Sequence, residues 1–234
     1  MQIEIWSDIA CPWCYVGKRR FEQALARFDH REQVTVTWRS FELDPNAPAT
    51  QDEPQAVLLS RKYRVPVAQA EAMNARMTQA AAEEGLDFHF DRVKVGNTFD
   101  AHRLVHLAHA HGLQDAMKER LMRAYLTEGL AIGTRDVLQR LGEEVGLDAN
   151  AVREVLASDA YAADVRADEG QARELGINGV PFFVLGGKYG VSGAQSPELL
   201  HEAIAQAFAE TQPAVQMLGG APADGCGPDG CAIG

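Results

Sequence analysis

The chain has no apolar run long enough to cross a bilayer as a helix, and its first residues enter a strand-like segment without a basic stretch leading an apolar one. Neither a helical membrane anchor nor a secretory leader is expected, and the cytoplasm is the expected location. Basic residues are also in short supply: 22 Lys and Arg stand against 33 Asp and Glu, a formal net charge of −11. Nucleic acid and anionic membranes favour basic surfaces, so neither is expected as a partner. Cysteine is sparse, four in 234 residues. That excludes a small disulfide-stapled scaffold, and a chain of this length buries an adequate core without staples. In a reducing compartment the few cysteines are expected to be catalytic, redox-sensing or metal-binding.

Two of them carry the strongest signal. Cys11-Pro12-Trp13-Cys14 follows a strand-like run, Ile3 to Ser7, and opens a helical pattern reaching to about Asp29. Two cysteines at this spacing, where a strand hands over to a helix, read as a working redox pair. The unpaired N–H groups and positive dipole end of the helix stabilise a thiolate, which is the reactive species, at the first cysteine. Cys11 is therefore the candidate nucleophile. Cys14, one turn later on the same face, is placed to attack a mixed disulfide at Cys11 and release the partner. A structural bridge here would close too short a loop to stabilise much, and a single pair supplies half of a closed zinc site.

A second strand is predicted over Val34 to Arg39 from its alternation and β-branched residues, ending at the turn-rich Asp44-Pro45-Asn46-Ala47-Pro48. From about Gln55 to Leu175 the pattern is helical, with breaks at Val65-Pro66, Gly85, Gly112, Gly129 and Gly146. Phe182 to Leu185, Gly186-Gly187 and Lys188 to Val191 then read as a hairpin, and Ser196 with Pro197 as the N-cap and first residue of a last helix. The order predicts one α/β domain, residues 1–44 and 174–211, split by a helical insertion, 45–173, whose last helix is free to pack on the sheet. Residues 212–234 form a Gly- and Pro-rich tail, expected to be flexible.

That tail holds the other pair, Cys226 and Cys231, flanking a turn-favouring Gly-Pro-Asp-Gly. It reads as an auxiliary redox dithiol able to reach back toward Cys11, or equally as thiols with no specific task. His102, His106 and His109 share one face of a predicted helix, read as its polar face. Their spacing could begin a zinc site, but no further ligand is evident and no metal is expected.

Several segments spread along the chain resemble the thioredoxin superfamily in the branch with a helical insertion to which DsbA belongs, and within it the cytosolic FrnE-like group. They are Trp6-Ser7-Asp8 leading into Cys11-Pro12-Trp13-Cys14-Tyr15, Arg39-Ser40-Phe41-Glu42-Leu43, Gly96-Asn97-Thr98-Phe99-Asp100-Ala101-His102-Arg103, Gly179-Val180-Pro181-Phe182-Phe183 and Ser192-Gly193-Ala194-Gln195. The resemblance implies a DsbA-like fold, α/β with a thioredoxin-like core, and dithiol–disulfide exchange on protein or small-molecule disulfides. It implies that Val180-Pro181 is a cis-proline element facing Cys11, and that Pro12, Trp13, Asn97, Thr98 and His102 join it in binding substrate. No bound organic cofactor is implied; glutathione or a thioredoxin-like reductant would reset the pair. Trp13 stands where the periplasmic DsbA type has histidine, which implies a weaker oxidant, suited to reduction or isomerisation. Two alternatives are a glutathione-dependent transferase or isomerase of the kappa or hydroxychromene-carboxylate type, whose members usually carry serine at the position of Cys11, and a redox-sensing, chaperone-like binding module.

Overall fold

The computed structural model describes residues 1–211; Cys226 and Cys231 lie outside them. Its centre is a four-stranded sheet in the order β2-β1-β3-β4, from β1 (Gln2–Ser7), β2 (Thr35–Ser40), β3 (Phe182–Leu185) and β4 (Tyr189–Ser192). β1 runs parallel to β2 and antiparallel to β3, which makes the expected hairpin with β4. Parallel pairing of β1 with β2 requires a crossover, supplied by α1 (Pro12–Ala26). Ile3 and Ile5 of β1 face the main core, where Phe21 of α1 stacks on Phe183 of β3 at 5.6 Å. Trp6 enters a smaller cluster with Ala172, Ile177 and Val184 on the other side. The alternation of these residues along β1 is what divides the two layers.

Between β2 and β3 lie α2 (Gln55–Tyr63), α3 (Val67–Glu83), α4 (Phe99–Ala110), α5 (Gln114–Leu126), α6 (Arg135–Val145), α7 (Ala149–Ala157) and α8 (Ala162–Glu174), and α9 (Pro197–Thr211) closes the chain. The expected helix breaks are all present. Gly146, at φ 99°, ends α6 in the left-handed conformation that favours glycine, and the Asp148 carboxylate caps α7 through the Asn150 and Ala151 N–H groups. The Ser196 hydroxyl accepts from Leu199 N–H at the start of α9, as its sequence position predicts. α1 stops three residues short of the expected Asp29, because the chain turns to set Phe28 edge-on against Phe208 of α9.

Two polar clamps hold the helices to the sheet. The Gln114 amide of α5 pairs with both backbone groups of Trp38 on β2, at 3.0 and 2.9 Å, and so occupies hydrogen-bonding positions on an edge strand. Asp168 of α8 is buried against β2, where its carboxylate accepts from Ser40 N–H at 2.8 Å and Arg39 at 3.0 Å and lies 3.1 Å from His106 of α4. Its backbone carbonyl takes the Trp6 indole N–H at 2.9 Å. The histidine face of α4 is a polar surface only at its end: His102 is fully buried and His106 half-buried, His109 is exposed, and Leu104 and Leu107 are buried. His102 faces Asp8 and His106 faces Asp168, whereas His109 lies in the last turn of α4.

Burial pushes the Asp168 carboxyl up, but the His106 ring, the Ser40 N–H and the charges of His106 and Arg39 outweigh it and hold the group below the ordinary range. A depressed carboxyl contributes stability that is present above its unfolded value, about pH 4, and is lost as pH falls through the folded value. Asp168→Asn should lower the unfolding free energy in urea at pH 7 by roughly 2–3 kcal/mol, with a loss that shrinks toward pH 3. An equal loss at both pH values would remove the carboxylate from this account.

Candidate active site

β1 ends at Ser7, and Asp8, Ile9 and Ala10 turn the chain so that Cys11 sits at the N-cap of α1 with extended backbone and Pro12 begins the helix. Proline fits there because the first helical N–H has no partner to lose. The Cys14 N–H bonds the Cys11 carbonyl at 3.0 Å, which folds the two cysteines into one turn. Both thiols are free. Cys11 is 5% exposed, Cys14 is fully buried, and Trp13 between them is 47% exposed. The Val180-Pro181 peptide is cis, and the Val180 carbonyl lies 3.6 Å from Cys11 Sγ. Gly17 of α1 lets Pro181 approach: a Cβ there would lie 2.9 Å from Pro181 Cγ.

Burial pushes the Cys14 thiol well above the ordinary range, and Cys11 beside it adds to the shift. Two neighbours pull the other way, Lys118 and Ser7. Lys118 reaches this spot from α5, fully buried, with Nζ donating to the Ser7 carbonyl at 2.9 Å and lying 5.8 Å from the Trp38 ring centroid. Burial pushes its pKa down to about 8, against the opposing pull of Cys14, Asp8, Cys11 and Asp168. The Asp8 carboxylate accepts from Leu43 N–H at 2.8 Å and Ala10 N–H at 3.3 Å, and meets His102 Nε2 at 3.3 Å. Burial raises its pKa, but His102, the Leu43 N–H and the Lys118 charge hold it below the usual value. His102 is itself pushed down, chiefly by burial. A neutral ring carrying its proton on Nε2 satisfies Asp8 and leaves Nδ1 without a partner among the described residues.

A groove of about 480 Å³ opens beside the cysteine loop, lined among others by Pro12, Trp13, Leu43, Thr98 and Tyr125. Of the residues proposed from sequence, Pro12, Trp13 and Thr98 therefore border one cavity. Asn97 instead turns its side chain to the Phe99 N–H and the Pro45 carbonyl, and His102 sits behind Asp8. Lys118 and Asp8 were not singled out in the sequence reading. For Lys118 a signal was present: it occupies the apolar stripe of α5, three and four residues before Leu121 and Met122, where a charge is out of place. Among the described residues no group of three or more His, Cys, Asp or Glu is arranged to hold a metal ion.

Comparison with known proteins gives a consistent picture. Residues 2–205 match the family model described as a DSBA-like thioredoxin domain. The chain is 47% identical to a probable DsbA oxidoreductase of Streptomyces coelicolor, whose crystal structure superposes with a TM-score of 0.87 over 100% of this chain and 99% of the other. It is 31% identical over 207 residues to the uncharacterized protein YwbO of Bacillus subtilis, covering 87% of this chain and 96% of that protein. The cytosolic disulfide reductase DsbM of Pseudomonas aeruginosa, in its structure with GSH, shares the fold at 22% identity, with a TM-score of 0.61 over 91% of this chain and 98% of the other.

The complete burial of Cys14 and the upward push on its thiol have a direct chemical readout. Iodoacetamide applied to the reduced protein at pH 7 should modify Cys11 and leave Cys14 intact until the chain is unfolded, as followed by peptide mass spectrometry. Equal labelling of both in the native fold would contradict the burial described for Cys14.

Proposed function

The chain belongs to the DSBA-like thioredoxin domain family, and from that footing we propose that it is a thiol–disulfide oxidoreductase and isomerase working through Cys11 and Cys14. The observation that carries the reading is the asymmetry of the pair: Cys11 at the N-cap of α1, 5% exposed and beside the Val180 carbonyl of the cis-proline peptide, and Cys14 fully buried with Lys118 as a neighbour. The Cys11 thiolate attacks one sulfur of a substrate disulfide, forming a mixed disulfide and expelling the other sulfur as a thiolate. Cys14 then attacks Cys11 Sγ, forming the Cys11–Cys14 disulfide and releasing the second substrate thiol. The substrate gains two electrons and the protein loses them. A free thiol such as glutathione, or a thioredoxin-like dithiol, returns the pair to its reduced form by the same exchange. When the expelled substrate thiolate attacks another disulfide of its own chain, and the thiolate so freed attacks the substrate sulfur of the mixed disulfide and expels Cys11 as thiolate, the net result is isomerisation without change in redox state.

Val180 supports the positioning role. Its carbonyl is beside Cys11, and its N–H makes no backbone bond among the described residues, so an extended substrate can pair with it as an added strand. Lys118 supports the second step. Cys14 must lose its proton to attack, in a site where burial opposes the thiolate, and a neutral Lys118 can take that proton and leave an ammonium–thiolate pair. A transferase that activates glutathione at Cys11 would leave both Cys14 and Lys118 without a task. The cytoplasm, where reducing thiols are abundant, is the compartment we propose for this cycle.

The reading is tested with a scrambled disulfide-bonded protein substrate in a glutathione buffer. The native chain should accelerate its reactivation and Cys11→Ser should not; reactivation that survives in Cys11→Ser would point to a binding role in place of exchange. The second step has its own signature. Resolution of a Cys11 mixed disulfide should quicken with pH through about 8, the value to which burial brings Lys118. Lys118→Met should slow this step at pH 7 by at least about tenfold, let the mixed disulfide accumulate and move the rise to higher pH. An unchanged pH profile in the variant would exclude Lys118 as proton acceptor.

A further inference from the structure

The resolving cysteine has a neighbour whose hydroxyl the folded chain leaves unused. Ser7 ends β1, and the alternation along that strand sets it on the face of Ile3 and Ile5, which packs on the core that holds Cys11 and Cys14. Trp6 turns to the smaller cluster on the other face, as the same alternation requires. Ser7 is wholly buried, and with both thiols free its Oγ has no hydrogen-bond partner among the described residues. A buried hydroxyl without a partner is destabilising, and alanine at this position would avoid the cost.

What the hydroxyl lacks is an acceptor, and the exchange cycle creates one beside it. The groups that act on Cys14 among the described residues come from three elements: Cys11 from its own turn, Lys118 from α5 and Ser7 from β1. Lys118 acts through its charge, and Ser7 through a hydrogen bond that favours the ionised sulfur over the neutral one. A thiol sulfur is a weak acceptor, whereas a thiolate takes a charge-assisted hydrogen bond. The two polar groups of Ser7 have separate partners. Its carbonyl holds Lys118 Nζ at 2.9 Å, and its hydroxyl is left for the sulfur.

Resting on the exchange function proposed above, we infer that Ser7 is a catalytic residue of the resolving step, its hydroxyl donating to the Cys14 thiolate as that thiolate attacks Cys11 Sγ. Cys14 gives its proton to Lys118. The bond between Cys14 and Cys11 forms as the bond from Cys11 to the substrate sulfur breaks, and the electron pair of the broken bond leaves with the substrate as a thiolate. The Ser7 proton stays on Oγ throughout. Its hydrogen bond exists while Cys14 is charged and is absent from the dithiol and the disulfide alike, so the hydroxyl lowers a barrier without favouring either end of the cycle.

The test follows single turnovers with hydroxyethyl disulfide by rapid acid quench and peptide mass spectrometry. Every chain carries Cys226→Ser and Cys231→Ser, so that Cys14 is left to resolve the mixed disulfide at Cys11. Ser7→Ala deletes the hydroxyl and keeps the carbonyl that Lys118 uses. Loss of a hydrogen bond to a charged sulfur lowers the thiolate population about tenfold, and the greater nucleophilicity of a more basic thiolate returns about threefold of that. Resolution should therefore slow about threefold between about pH 6 and 9, with formation of the mixed disulfide unchanged and the rise near pH 8 kept. The reduction potential of the pair at pH 7 should not move, and the urea midpoint of the dithiol protein should stay or rise, since no bond is lost there. Resolution at the native rate, an equal slowing of both steps, a shifted potential or a lower urea midpoint would each overturn the assignment, while formation of the mixed disulfide would still stand as evidence for exchange. No mixed disulfide with either chain would sink the exchange function and this inference with it.

Discussion

A lysine nitrogen fully withdrawn from water, lodged against the strand that leads to the redox pair, is the constraint on which the arrangement turns. Burying an isolated ammonium costs several kcal/mol even after relaxation, so the surroundings must compensate it or neutralise it. Here they do some of each. Asp8, ionised in the same seam, offsets the charge of Lys118, and Lys118 in turn helps to keep Asp8 ionised. The Ser7 carbonyl takes an N–H from Nζ, and the Trp38 ring lies near it. Even so, Lys118 holds its proton less tightly than a lysine in water. Incomplete compensation is what would fit the group for the proton-accepting role proposed above: a fully paired lysine is too weak an acceptor, and an exposed one is screened from Cys14.

The same constraint explains why the insertion cannot be a loosely tethered second body. Lys118 belongs to α5, Asp8 to the loop between β1 and α1, and His102, which steadies Asp8, to α4. If α5 drifted from β1, an ammonium and a carboxylate would lose their compensation together. The Gln114 amide on Trp38 and the Asp168 carboxylate between β2, α4 and α8 oppose that drift at two further points of the seam. Polar groups buried at an interface contribute register more than net stability, since each is satisfied in one relative placement of the two surfaces. The sheet supplies the cysteines, and the insertion sets their electrostatics.

The division between what could and could not be read from sequence follows from this. Cys11 and Cys14, the flanking strand and helix, the β3–β4 hairpin and the Ser196 cap all depend on neighbours within a few residues, and local spacing reveals them. The partners of Lys118 and His102, Ser7 and Asp8, lie roughly a hundred residues away, so although the apolar setting of Lys118 in α5 points to burial, nothing local says what either residue meets. His102 and His106 were therefore placed with His109 on a polar face, and of the three His109 alone is exposed. The end of α1 was missed for a related reason, since Phe28 leaves the helix to meet Phe208, 180 residues later.

The site thus joins two kinds of surface at one cysteine loop. On its inner side Cys14 and Lys118 are both fully buried, in a dry environment that favours neutral groups. On its outer side Trp13 and the groove meet solvent, where apolar exposure is tolerated for what it can bind. Pro12 and the α1 N-terminus keep the two cysteines in a fixed turn between these environments. In the cycle proposed above Cys11 meets the disulfide, and the proton that leaves Cys14 is handled in the buried seam. Separation of binding from proton transfer lets the groove vary in shape and polarity without disturbing the Asp8–Lys118 pair. By the same logic, a change at that pair alters the resolving step for every substrate alike.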